Sequence, residues 1–109
     1  MGKPTVVFDG EIGTQSVHIS LEWRDGDLLV SSQDLGPALV PYFGEDEVEA
    51  FVTVKAAQLP QLARALGCRP TPRSIQAAMV ERYHDDSAAE NSFSAFLKEH
   101  DIQHEYFVI

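Results

Sequence analysis

From Val17 to Trp23 the chain alternates strictly, with Val17, Ile19, Leu21 and Trp23 apolar and His18, Ser20 and Glu22 polar between them. A period of two belongs to a half-buried strand, whose successive side chains point to opposite faces. Asp25-Gly26 follows, a dipeptide that tolerates positive φ at both centres of a type I′ turn. A two-residue loop there sets Arg24 opposite Asp27, Trp23 opposite Leu28 and Leu21 opposite Val30. This register keeps the apolar positions on one face, whereas a one-residue slip would turn them all to solvent. The chain therefore predicts a β-hairpin here. TVVFDG, residues 5–10, predicts a strand before it, with Gly10 and Gly13 bracketing the joining turn.

The stretch DLGPALVPYFG, residues 34–44, breaks the pattern. Asp34 is placed to cap a short helical turn and Gly44 to end it. Pro41 lacks an N–H and keeps that element short or irregular. Alternation resumes in EVEAFVTVK, with Val48, Ala50, Val52 and Val54 on one side and Glu49, Phe51, Thr53 and Lys55 on the other. Leu59, Leu62, Ala63 and Leu66 then recur at helical spacing, with Pro60 in the first turn and Gly67 as a stop. Thr71 and Pro72 open a second helix with Ile75, Met79 and Tyr83 on one stripe. Ser87 and Glu90 have capping-box spacing ahead of a third, in which Phe93, Phe96, Leu97 and His100 share a face. HEYFVI, residues 104–109, is rich in β-formers and predicts a last strand.

Strands, then helices, then a strand predict an α+β fold: a mostly antiparallel sheet of about five strands with helices packed on one face, in a single domain over residues 1–109. Returning after three helices, the last strand is expected to insert beside an early one.

Charge changes this picture more than composition does. Eight Lys and Arg stand against seventeen Asp and Glu, a formal −9. A field of that sign repels phosphate backbones and anionic lipid, so nucleic-acid and membrane-surface binding are disfavoured. Arg64, Arg69, Arg73 and Arg82 gather in one stretch, but without interleaved aromatics or a nucleic-acid motif. Between Asp25 and Val54 there are seven acidic residues and no Lys or Arg. No apolar run reaches the roughly 20 residues that span a bilayer. MGKPTVVFDG lacks a secretory pattern, and Val6 stands where a myristoylation site needs Ser or Thr. With a single cysteine, no internal disulfide can form, and a cytoplasmic location is expected.

SSQDLGPALVPYFGEDEVEAFVTVKAAQLPQLARALG, followed near the terminus by FLKEHDIQHEYFVI, resembles a group of small, largely uncharacterised bacterial proteins. In that group a Gln-Asp-Leu-Gly stretch follows a strand and precedes an acidic, aromatic strand. Here Asp34-Leu35-Gly36 and the closing Phe-Leu-x-x-His carry the likeness, while Pro41 stands where a helix former is expected. The resemblance implies a bacterial origin and a small α+β domain, and no activity. In character, small acidic domains of this kind are also similar to immunity proteins that neutralise toxins.

Candidate chemistry centres on Glu45, Asp46, Glu47 and Glu49. A calcium loop needs a glycine at its sharp turn and a later bidentate Glu, and this stretch lacks that layout. On a strand Glu47 and Glu49 share one face while Val48 points to the core, as in any amphipathic strand. These four carboxylates are either solvated charge or a face for a basic protein partner. His84 beside Asp85-Asp86, with His100 and His104 further on, could bind zinc or act as a base. However, His84 falls at a helix C-terminus, where a ring cation is favourable for structural reasons, and Asp101-Ile102 ends the helix between the other two. Arg69 could lower the Cys68 thiol pKa, but no nucleophile signature surrounds it. No cofactor motif and no metal site are predicted.

The leading expectation is a non-enzymatic interaction domain, inhibitor- or immunity-like, binding a basic partner through Glu45, Asp46, Glu47 and Glu49. Its rivals are a small hydrolase-like enzyme using carboxylate and histidine side chains, and a structural homo-oligomer burying Phe51, Tyr106 and Phe107.

Overall fold

The computed structural model describes residues 3–109; Met1 and Gly2, on which the myristoylation reading partly rests, lie outside them. Five strands form one antiparallel sheet in chain order: β1 (Thr5–Ile12), β2 (Gln15–Arg24), β3 (Asp27–Leu35), β4 (Glu47–Val54) and β5 (Glu105–Val108). A 3-10 turn (Pro37–Leu39) and α1 (Val40–Phe43) join β3 to β4. A second 3-10 turn (Ala56–Gln58) leads into α2 (Leu59–Leu66), followed by α3 (Pro72–Tyr83) and α4 (Ala89–Glu99). The fold is α+β.

The β2–β3 hairpin has the register its sequence predicts, pairing Arg24 with Asp27, Trp23 with Leu28 and Leu21 with Val30. Asp25 and Gly26 both take positive φ, 51° and 87°, as a type I′ turn requires. In β4 the sides are as expected: Val48, Ala50, Val52 and Val54 are buried and the residues between them are not. α2, α3 and α4 cover that apolar face. Ile75, Met79 and Tyr83 of α3, with Phe93 and Leu97 of α4, close one core with Ile19, Leu21, Leu28, Val30 and Val52 of the sheet. Burying each such side chain contributes about 1.5–3 kcal/mol, and this packing holds the two layers together. Leu29 apart, the opposite face of the central strands is mostly polar, lined by His18, Ser20, Glu22, Ser31, Gln33 and Glu49.

Four details differ from expectation. β5 pairs with β4, at the end of the sheet, and not with an early strand; α4 packs against β3 and β4 and delivers the chain to that side. Asp34 caps no helix: β3 continues through Leu35, and Asp34 lies in the ladder opposite Val17 and Val48. Ser87 does not form the capping box. α4 begins after Ala88, whose N–H is held by Asp86 Oδ1 at 2.8 Å, and Glu90 turns inward. Gly10 lies within β1, leaving Gly13 (φ 63°) at the turn.

Candidate interaction surface

The β3–β4 connection is held by backbone. Gly36 donates its N–H to the Asp46 carbonyl at 2.8 Å, fastening the exit of β3 to the entry of β4. An added Cβ on Gly36 would stand 3.0 Å from both the Thr14 carbonyl oxygen and Gln15 Cα, so the β1–β2 turn closes against the same point. Its φ of 156° with ψ of 158° is a region essentially restricted to glycine. Between these anchors α1 completes one turn and stops at Gly44 (φ 76°).

This short turn projects its side chains outward. Tyr42 is 83% exposed and Phe43 56%, and Val40 and Leu35 are also exposed. Glu45 and Asp46 lie in the bend that follows, and Glu47 opens β4, all three exposed; Glu49 is half-buried. Glu47 and Glu49 point away from the core, Val48 and Ala50 towards it. Gln33 Nε2 donates to Glu47 Oε2 at 2.6 Å across the β3–β4 ladder, and none of the four carboxylates pairs with a Lys or Arg among the described residues. Exposed aromatic and acidic residues therefore follow one another along the β3–β4 connection. The carboxylates were legible in the sequence. The exposed aromatics were not: Tyr42 and Phe43 are bulky residues of the sort that normally anchor a core, and only the one-turn length of α1 leaves them outside.

The remaining candidates are dispersed. His84 caps α3, its Nδ1 3.1 Å and 3.0 Å from the carbonyls of Val80 and Glu81. His100 lies against Phe96, ring centroids 4.4 Å apart and planes tilted by 50°. His104 Nδ1 donates to the Ile102 carbonyl at 2.9 Å, leaving Nε2 to accept from Ser94 Oγ at 3.1 Å. Each ring is engaged locally, and among the described residues no three His, Cys, Asp or Glu side chains are grouped to hold a metal. Cys68 sits in a groove with Ser74, Glu81 and Arg82 but no histidine. Burial pushes its thiol up, the direction opposite to an activated thiolate and to the one Arg69 suggested.

Sequence reasoning overlooked one electrostatic feature. Burial raises the Glu90 carboxyl above its ordinary range, against hydrogen bonds from the N–H groups of Glu90 and Asn91, and the charges of Asp34 and Asp86 push it further. Asp34 is raised by burial too, partly offset by the hydrogen bond from Ser32 Oγ at 3.2 Å. Glu90 Oε2 is buried without a partner. The inward turn of Glu90 depends on where α4 starts, and the capping-box spacing pointed the other way.

The exposed aromatic residues Tyr42 and Phe43 and the exposed carboxylates Glu45, Asp46 and Glu47 thus follow one another along the connection from β3 to β4. No family model, curated protein or solved structure matches the chain. Among the described residues no helix is long and apolar enough to cross a membrane.

Proposed function

We propose that this is a non-enzymatic interaction domain that binds a basic protein partner through the end of the sheet bearing Glu45, Asp46, Glu47 and Glu49. The observation that carries the reading is the exposure of Tyr42 and Phe43 just ahead of these carboxylates in the chain. Exposed aromatics rimmed by charge are typical of protein interfaces, where Tyr supplies large contact area and the rim sets orientation and association rate. Arginines suit such a surface twice over, pairing with carboxylates and stacking on aromatic faces. In a bacterial cell, inhibition of a basic toxin such as a nuclease is one instance of this role. The test is capture from bacterial lysate by the unmodified protein and by a variant carrying Glu45→Gln, Asp46→Asn, Glu47→Gln and Glu49→Gln. The unmodified protein should retain basic partners that rising salt releases, and the variant should lose them. Equal capture with equal salt dependence means the acids are solvated charge.

A homo-oligomer is favoured by a separate observation. Phe51 and Phe107 stack at 5.2 Å on the mostly polar face, and Phe107 is half-exposed. A second copy would cover them, and sedimentation velocity over a range of concentrations tests this.

A further inference from the structure

The two edges of the sheet are unlike. β1 is protected: its pairing with β2 is broken by an irregularity between Val6 and Phe8, it carries Asp9 and Glu11, and α3 packs on it. Bulges and charges on an edge strand are the usual devices against further pairing. β5 has neither. It pairs without irregularity, from Ala50–Val108 to Thr53–Glu105, and all four of its residues are exposed. Ile109 donates its N–H to the Glu49 carbonyl at 2.8 Å, which fixes the phase of the ladder. Residues 105, 107 and 109 face β4 with their backbone groups, so the N–H and C=O of Tyr106 and Val108 point outward from the edge.

The charged side chains flanking this edge are mostly acidic. Directly opposed residues share a face, so Glu105, Phe107 and Ile109 lie on the polar side with Thr53, Phe51 and Glu49. On the helix side Tyr106 lies opposite Val52. The nearby Lys55 is engaged with Asp27 at 3.5 Å.

From this geometry we infer that β5 is a docking edge for an extended, lysine- or arginine-bearing segment of a protein partner, which adds to the sheet as a sixth strand. Main-chain pairing with Tyr106 and Val108 supplies affinity, as in other strand-addition complexes. Basic side chains on one face of the added strand then meet Glu49 and Glu105. The inference rests on the basic-partner reading and specifies the partner's conformation and where it lies.

The experiment uses a short alternating lysine–valine peptide as probe and an alternating threonine–valine peptide as control, followed by amide chemical shifts and hydrogen exchange. The lysine peptide should shift the Tyr106 and Val108 amides and slow their exchange. Val108→Pro removes one outward N–H, a substitution edge strands tolerate, and should raise Kd about tenfold. Glu49→Gln with Glu105→Gln, which leaves the backbone untouched, should weaken binding and flatten its salt dependence. Shifts confined to residues 35–47, with Val108→Pro binding as the parent, overturn the edge inference and leave the basic-partner reading standing. Equal binding of the threonine peptide overturns the charge complementarity. Self-pairing through Tyr106 and Val108 without peptide overturns it in favour of a second copy. If no lysine peptide binds at low salt, both readings fall.

Discussion

Trp23 on β2 donates its indole N–H to Gln76 Oε1 on α3 at 3.1 Å, a bond between residues far apart in sequence that ties sheet to helix layer. The bond is part-buried, so removing the acceptor leaves the indole without its partner. We expect Gln76→Ala to cost about 1 kcal/mol. Urea titration followed by fluorescence measures this directly, because Trp23 is the single tryptophan; an unchanged midpoint would show the bond contributes nothing net.

Glu90 makes stability depend on pH with a definite sign. Burial raises its carboxyl, so the folded state holds the proton more tightly than the unfolded state does. Stability contributed by the protonated form is therefore complete below the ordinary carboxylate range and is lost as pH rises through the raised folded value. Asp34 acts in the same direction. Glu90→Gln should be at least as stable as the parent at neutral pH and show a flatter urea midpoint from mildly acid to neutral pH. Adding Asp34→Asn should flatten it further. A steeper profile in the variants would refute the assignment.

The Tyr83 hydroxyl is also buried and makes no well-formed hydrogen bond, the adjacent Arg82 guanidinium only partly offsetting its burial, while its ring meets Phe93 edge-on at 6.0 Å. Tyr83→Phe keeps the ring contact and removes the desolvated group. The expected result is a gain of up to about 1 kcal/mol in thermal or urea unfolding. A clear loss would mean the hydroxyl has a partner in solution.

At Gly36 both the backbone conformation and the closeness of Thr14 and Gln15 exclude a side chain. Gly36→Ala should destabilise by about 1–3 kcal/mol. Because Gly36 also holds Asp46, amide shifts should spread from residue 36 to residues 44–47 and to the β1–β2 turn. Shifts limited to immediate neighbours would argue against a shared anchor.

Tyr42 and Phe43 make the opposite case. Exposed side chains outside the core alter stability little, so Tyr42→Ser with Phe43→Ser should stay within about 0.5 kcal/mol per site. If they are interface anchors, the same change should weaken capture of basic partners at least as much as neutralising one carboxylate. Marked unfolding would place them in the core instead.

Most of the fold was legible where local pattern and turn chemistry agree. Val17 to Trp23 with Asp25-Gly26, the alternation from Val48 to Val54, and the stripe of Ile75, Met79 and Tyr83 each constrain the backbone within a few residues. The neighbour of β5 was not legible, because strand pairing across three helices depends on where α4 delivers the chain. The roles of Asp34 and Glu90 were lost for a related reason: each has a local capping option, and tertiary packing overrode both. Of the candidate surface, the sequence announced the charges but not the aromatics beside them. Whether a Tyr or Phe is inside depends on the length of the turn that carries it.

The meander order has a consequence for how the chain acquires its shape. β1 to β4 pair with their neighbours in sequence, so the three joins between them close short loops at small entropic cost. β5 is different, since its pairing with β4 encloses α2, α3 and α4 and is the most non-local contact in the sheet. During synthesis the first four strands can zip together as they emerge, yet their apolar face stays wet until the helices arrive. β5 can join the sheet only after those helices have been made. Having the longest loop and only four residues of ladder, it is also the strand that local opening releases most readily.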